Sequence, residues 1–342
     1  MGRMRSATGS RLQRIWYGGQ PAPAALRALE PAYRLASRLH RWWKVRQRPD
    51  DLAAACIVVV GNITVGGSGK TPLVIRLCRI LREAGLRPGV VSRGYGRRQK
   101  GLRLVSPASR AQEVGDEPVL IAKRSGVPVI VAADRCEAAR RLIGQRVNVV
   151  IADDGLQHCR LPRDIELCVV DGARGFGNGR LLPAGPLREP LARLGQVDHV
   201  IVNGEPDGLP ESVCGVPMTL APGLLQSLEG GEKWRLAQFA GCAVNAVAGI
   251  GHPQRFFGLL RQSRLKVNEY PFPDHHAYSA RDFVGMDADL PIVMTEKDAV
   301  KCRGLGLKNA WFLSVDALLP AAFEASLVAQ VVAHLQPRKD ES

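Results

Sequence analysis

Apolar positions in this chain fall into short, nearly unbroken runs separated by polar turns. Ile57–Val60 reads IVVV, and similar runs recur at Gly89–Ser92, Val127–Ala132, Val147–Ala152, Glu166–Val170 and His199–Asn203. Continuous rather than alternating runs mark strands buried on both faces, as in a parallel sheet covered by helices. Helical or turn segments lie between them, beginning with LVIRLCRILREAG after the first strand. Recurring βα units predict a doubly wound, mostly parallel α/β domain, whose ligands sit at the C-terminal ends of the strands. From Val216 to Phe239 the pattern weakens to shorter, alternating pieces, and VPMTLAP with KWRLAQF predicts a small ribbon between domains. A second α/β block follows: AVNAVAGI, HPQRFFGLLRQS, KVNEYPF, PIVMTEKDAV, AWFLSV and a last helix near Ala321–Leu335. The expected organisation is an arm over 1–50, a large domain over 51–215, a linker ribbon over 216–240 and a smaller α/β domain over 241–342.

The arm has a different period. Over residues 24–46, at about 100° per residue, Ala25, Ala28, Ala32, Leu35, Ala36, Leu39, Trp42 and Trp43 share one side and Arg27, Arg34, Arg38 and Arg41 the other. Proline is tolerated only in a helix's first turn, so Pro31 places the start of this helix close to itself. A basic amphipathic helix with tryptophans can lie in a membrane interface, or it can pack on the domain that follows.

The most specific signal is Ile57–Pro72, IVVVGNITVGGSGKTP. A β-branched run enters a glycine-rich turn ending in Gly69-Lys70-Thr71, and a helix follows at once. This is the strand–loop–helix context of a phosphate-binding P-loop. Across Thr64, Val65, Gly66, Gly67, Ser68 and Gly69, backbone N–H groups can turn inward onto phosphate oxygens. Lys70 would reach the outer phosphates and the Thr71 hydroxyl would hold Mg²⁺. Thr64 stands where the usual pattern has its first glycine. The fold class expected is therefore P-loop NTPase-like, with a second, smaller α/β domain and an N-terminal amphipathic helix.

Composition narrows the setting. The chain has 342 residues, 46% hydrophobic, enough to bury a large core. No apolar run is long enough to cross a bilayer, and the basic N-terminus lacks the apolar stretch of a secretory signal. Eight scattered cysteines without a CxxC pair argue against zinc and for a reducing compartment. A net charge of +15 predicts an anionic partner: nucleic acid, a membrane surface or a phosphorylated substrate. The chain lacks a basic–aromatic ladder suited to stacking bases, which weighs against nucleic acid.

Several other motifs carry candidate chemistry. In VVIADDGLQH, Asp153 and Asp154 end a hydrophobic strand, the arrangement that ligates Mg²⁺ beside a P-loop. Adjacent carboxylates repel unless a cation or proton relieves them. Asp116, in Gly115-Asp116-Glu117-Pro118, either caps the helix that follows or accepts a proton from a hydroxyl nucleophile; spacing alone favours the cap. Phe272-Pro273-Asp274-His275-His276 groups two histidines with a carboxylate, a pattern suited to orienting an acid–base partner. Arg188 and Glu189 stand in a proline-rich loop, LPAGPLREP, where arginine could neutralise a transferring phosphoryl group. Arg93, Arg97 and Arg98 lie on a glycine-hinged loop that could meet a phosphorylated substrate or solvent alone.

These motifs together resemble the tetraacyldisaccharide 4'-kinase family of the lipid A pathway in Gram-negative bacteria. The resemblance rests on GNITVGGSGKTP (61–72), VSRGYGRR (91–98), GDEP (115–118), ADDGLQH (152–158), LLPAGPLREPL (181–191), FPDHHAYS (272–279) and TEKDAVK (295–301). It implies a P-loop kinase domain joined to a smaller α/β domain by a two-stranded linker. It further implies transfer of the γ-phosphoryl of ATP, with Mg²⁺, to the 4'-hydroxyl of a tetraacylated, 1-phosphorylated glucosamine disaccharide. The enzyme would be peripheral on the cytoplasmic face of the inner membrane, with no nucleic acid and no obligatory protein partner. Carried over by motif, Asp116 is the base, His275 pairs with it, Lys70 and Arg188 serve the phosphates, and Thr71, Asp153, Asp154 and Glu189 form the metal set. With Asp116 and His275 assigned to separate domains, closure between domains is expected to assemble the site.

Two rivals remain at this level. A P-loop GTPase or chaperone-like ATPase would use the loop to drive a switch; the nearest thing to a guanine-reading NKxD is Thr295-Glu296-Lys297-Asp298. A nucleic-acid-binding protein with an incidental P-loop would bind polynucleotide in a strongly salt-dependent way.

Overall fold

A computed structural model describes residues 12–49 and 51–336; the expected arm and C-terminal domain extend into residues 1–11, 50 and 337–342, which lie outside the described residues. In chain order the elements are α1 (12–17), α2 (Ala24–Val45), β1 (Cys56–Gly61), α3 (Lys70–Glu83), β2 (Pro88–Ser92), β3 (Arg103–Val105), α4 (Ala111–Val114), α5 (Asp116–Ser125), β4 (Val129–Val131), α6 (Arg135–Ile143), β5 (Val149–Asp153), β6 (Ile165–Asp171), β7 (His199–Asn203), β8 (Val216–Ser227), β9 (Lys233–Arg235), β10 (Ala243–Ala248), α7 (Pro253–Gln262), β11 (Lys266–Pro271), β12 (Ile292–Thr295), α8 (Glu296–Cys302), β13 (Ala310–Leu318) and α9 (Ala321–Leu335). They form two compact units. The first takes the chain to Arg93, then Ala132–Thr219 and the segment from Leu319; the second takes Gly94–Val131 and Leu220–Leu318.

The first unit is a parallel sheet in the order β8-β7-β6-β1-β5-β2. Every residue of β1, β5 and β6 is buried, as their unbroken apolar runs require. β1 lies between β5 and β6, with Val58 opposite Ile151 on one side and Ile165 on the other. The chain passes from β5 to β6 across β1, so the turns after β1 and β5 both open at the point where strand order reverses. Those are the turns carrying the glycine loop and the Asp153-Asp154 pair.

The second unit has a parallel sheet β11-β10-β12-β13, with the C-terminal part of β8 beside β13 and β9 antiparallel to β8. Alternate residues of β10 serve two cores. Val244, Ala246 and Ala248 pack with Phe257 and Leu260 of α7. Val247 packs with Met294, Phe312, Tyr278 and Phe283.

Four expectations are corrected. Residues 94–131 belong to the second unit, and β4 pairs antiparallel with β3, which its apolar pattern did not mark. The last helix belongs to the first unit: Arg76 of α3 makes a two-pronged ion pair with Glu324 at 2.7 and 2.6 Å, and Leu327 and Val331 are buried. The ribbon pairs at Leu224–Gln226 with 233–235, whereas VPM adds to β7 and LAQF is a 3-10 turn. Finally, α2 begins at Ala24 and carries Pro31 in its interior. Its neighbour Glu30 is buried, accepting the Leu181 N–H and pairing with Arg180, and these tertiary bonds offset the hydrogen bond that proline omits.

Candidate active site

In the first unit, the loop after β1 turns through Gly66 (φ 115°) and Gly69 (φ 96°), left-handed conformations that favour glycine. A Cβ on Gly69 would lie 2.3 Å from the Asn203 amide nitrogen, so glycine is required there for space as well. Asn203 donates to the Ser68 carbonyl at 2.9 Å and pins the loop to the end of β7. α3 then starts at Lys70 with neither a side-chain cap nor an acidic residue in its first turn, leaving a helix N-terminus suited to anions. The Ser68 hydroxyl is buried and has no hydrogen-bond partner among the described residues. An orphaned donor inside a left-handed glycine loop fits a phosphate oxygen.

Charge concentrates on Asp154. Its backbone is left-handed (φ 48°), unusual for a residue with a side chain. Lys70 Nζ lies 3.4 Å from its carboxylate, and Arg188 Nη1 donates to both its oxygens at 3.2 and 3.1 Å. Burial would raise its pKa, yet the charges of Lys70 and Arg188 hold it well below the ordinary carboxylate range. Asp153 ends β5 and accepts the Ser92 hydroxyl at 3.0 Å. Lys70 also donates to Asn62 Oδ1 at 3.1 Å, and Gln157 accepts from Arg188 at 3.0 Å. Arg135, buried on α6, donates to the Asp154 carbonyl at 3.1 Å.

Glu189 is differently occupied. One oxygen accepts from Gln157 at 2.7 Å and the other from Arg41 of α2 at 2.8 Å, with Arg193 nearby at 3.4 Å. It holds α2 to the proline-rich loop, and two arginines already balance its charge. No group of three or more His, Cys, Asp or Glu among the described residues could by itself hold a metal ion. Two carboxylates and a hydroxyl nonetheless suit Mg²⁺, which usually completes its shell with phosphate oxygens and water. Thr71, Asp153 and Asp154 are the other members of the expected set.

In the second unit, Asp116 opens α5. It does not cap the helix: the N-cap is Gly115, with no side-chain cap bond. Asp116 is 5% exposed. His275 Nδ1 lies 3.2 and 3.0 Å from its two oxygens, and Asp116 Oδ1 also accepts the Glu117 N–H at 2.9 Å. Burial opposes the charged form of Asp116, but the His275 hydrogen bond and the charges of Lys297 and Lys301 outweigh it and lower the pKa. Burial likewise opposes the charged form of His275, yet the bond to Asp116 raises its pKa above the ordinary 6.5. The Tyr95 ring packs on His275 at 4.8 Å. Asp116 and His275 thus meet inside one compact unit, and no closure between domains is needed to join them. The residue expected to separate them by domain was Asp116, because nothing in the period of 94–131 reveals which sheet it joins. His276 pairs with Asp282 at 3.3 Å, away from Asp116.

Sequence reasoning missed Asn62, Gln157, Arg135, Glu117 and Lys297. Asn62, Glu117, Gln157 and Lys297 stood within quoted motifs without a role. Arg135 follows the Asp134 cap of α6, and nothing in the linear pattern connects it with Asp154.

A glycine loop on a parallel-sheet strand, with a lysine at the helix start facing a strand-end carboxylate, defines a P-loop NTPase-like protein. The chain matches the model of one such family, described as "Tetraacyldisaccharide-1-P 4'-kinase", over residues 22–332. A tetraacyldisaccharide 4'-kinase of Pseudomonas paraeruginosa is 48% identical over 319 residues, covering 92% of this chain and 95% of that protein. One from Xylella fastidiosa is 46% identical over 338 residues, covering 95% and 97%. The crystal structure of LpxK from Aquifex aeolicus in complex with ATP superposes with a TM-score of 0.72 at 26% identity, covering 92% of this chain and 99% of that one. The chain therefore belongs to the tetraacyldisaccharide 4'-kinase family, kinases with an alcohol acceptor, and the switch-GTPase and chaperone-like readings fall away.

Proposed function

We propose that the first unit holds ATP and Mg²⁺ and that Asp116 of the second takes the proton of the acceptor, the 4'-hydroxyl of a tetraacylated glucosamine disaccharide 1-phosphate, in lipid A synthesis. The observation that carries this reading is a nearly buried carboxylate clasped through both oxygens by a histidine. Residues 64–71 would cradle the phosphates, and Thr71, Asp153 and Asp154 would hold Mg²⁺, which supplies charge neutralisation when bound. Lys70 and Arg188 add positive charge where the transferring group carries its negative charge. Phosphoryl transfer has a loose transition state, so the acceptor's proton leaves late and a carboxylate of ordinary or lowered pKa suffices as base. His275 orients Asp116.

Peripheral attachment to the cytoplasmic face of the inner membrane is part of the same proposal. α2 turns Glu30, Tyr33 and Arg41 toward its own unit, through bonds to Arg180, the Arg188 carbonyl and Glu189. It leaves Leu29, Leu35, Leu39, Trp42 and Trp43 to solvent, each more than half exposed. An ordinary surface helix does the reverse. Arg46 and Lys44 stack on the Trp42 and Trp43 rings at 3.5 and 4.6 Å, bringing cations to the level of the aromatics. This favours an anionic headgroup layer over bulk water. No helix among the described residues is long and apolar enough to cross a membrane. The test of the whole reading is label transfer: purified protein with γ-labelled ATP, Mg²⁺ and the 1-phosphorylated lipid disaccharide is expected to move label into lipid. ATP hydrolysis without labelled lipid would contradict it.

A further inference from the structure

Lys297, on the first turn of α8, has a role that the phosphate chemistry does not supply. Its side chain is 16% exposed, and its ammonium makes three contacts. It donates to Glu117 Oε1 at 2.8 Å and to Asp274 Oδ1 at 3.2 Å, and it faces His275 Nε2 at 3.4 Å. Glu117 is the residue after Asp116 on α5; Asp274 is the residue before His275. An ammonium has three protons and no lone pair, so whichever ring nitrogen it meets must be an acceptor. Nε2 is then unprotonated, and Nδ1 carries the hydrogen that Asp116 accepts.

We propose that Lys297 is the positioning residue of the Asp116–His275 pair: its ammonium fixes His275 as the neutral Nδ1–H tautomer and ties the start of α5 to the 272–276 turn. The inference rests on the reading of Asp116 as base. His275 sits in the left-handed region (φ 58°), a costly conformation that persists only where neighbours enforce it. The far end of α5 is fastened independently, since Arg124 donates to Glu296 of α8 and to Asp316 of β13, each at 2.6 Å. Loss of Lys297 therefore loosens the catalytic end of α5 without detaching the helix.

The charges facing His275 come from each element around it. Asp116 and Glu117 stand on α5, Asp274 lies on its own turn, and Lys297 and Lys301 stand on α8. Lys301 is 3.8 Å from Asp116 and forms an ion pair with Asp298 at 2.9 Å. Lys297 opposes protonation of His275, whereas Asp116 and Asp274 favour it. Removing the lysine raises the pKa of His275. A larger share then becomes imidazolium at a given pH, pairs fully with Asp116 and weakens that carboxylate as an acceptor. The acidic limb of the rate profile moves upward.

Lys297→Met in the full chain is expected to lower kcat at pH 7 about tenfold or more, with KM for ATP within about twofold. The acidic limb should rise by about one pH unit. Lys297→Arg, which keeps the charge and donors, should recover much of the rate. ¹⁵N spectra of the wild type should show Nε2 of His275 as the unprotonated nitrogen. A wild-type rate and unmoved limb in Lys297→Met would overturn the proposal, as would an equal loss at every pH. If that variant does not fold, the tautomer decides: Nε2–H in the wild type rejects the role. That measurement needs no turnover, so it stands even if Asp116→Asn retains activity and the base assignment fails.

Discussion

Each unit surrounds one carboxylate with cations, half-buried Asp154 in the first and buried Asp116 in the second, but with cations of different kinds. Asp154 faces Lys70 and Arg188. Asp116 faces His275 as well as Lys297 and Lys301. The first cluster sets a lysine and an arginine beside its carboxylate, charges suited to binding phosphates. The second contains a histidine whose pKa the bond to Asp116 raises, a group suited to moving a proton. Two members of the first cluster, Lys70 and Asp154, stand in turns that directly follow strands β1 and β5, and Arg188 joins them from a third segment. The second is assembled from three distant segments: 115–118, 272–276 and 295–301.

The comparison breaks most sharply at Lys70. Lys70→Ala removes the charge shared between the loop and Asp154, and transfer should fall by about a thousandfold, measured as kcat/KM for ATP. A smaller effect separates the clusters by pH. His275 has a raised pKa, so the neutral form needed beside Asp116 is lost as pH falls through that value. Between about pH 8 and pH 6, kcat should drop severalfold while the Kd for ATP stays nearly flat. A Kd that follows the same curve would mean that the titrating group belongs to the phosphate cluster. Smallest is the effect of replacing Trp42 and Trp43 by serine. Binding to anionic vesicles should weaken several-fold with little change in turnover on detergent-dispersed substrate. Salt should release wild-type protein through its basic residues and leave a less sensitive tryptophan-dependent remainder.

The legibility of the chain follows the same division. Continuous apolar runs marked β1, β5, β6 and β7, because burial on both faces writes itself into every residue. GNITVGGSGKTP and ADDGLQH marked the turns that bring Lys70 to Asp154, because in each motif a strand end and the turn after it are neighbours in sequence. Other features depend on long-range partners and left no local mark. The excursion of 94–131 into the second unit is one, and the return of α9, sealed by Arg76 and Glu324, is another. Asp116 read locally as a cap because carboxylates usually begin helices; its clasp by His275 comes from a turn far along the chain. The ties of Glu189 to Arg41 and Gln157 likewise appear only in the fold, since neither partner is near it in sequence.

The most direct measurement is single-turnover phosphoryl transfer by Asp116→Asn beside its equilibrium affinity for ATP. The account predicts a rate lower by about a hundredfold or more with ATP affinity within about twofold. An Asn variant that transfers phosphate at the wild-type rate, or one whose only defect is lost nucleotide binding, would contradict it.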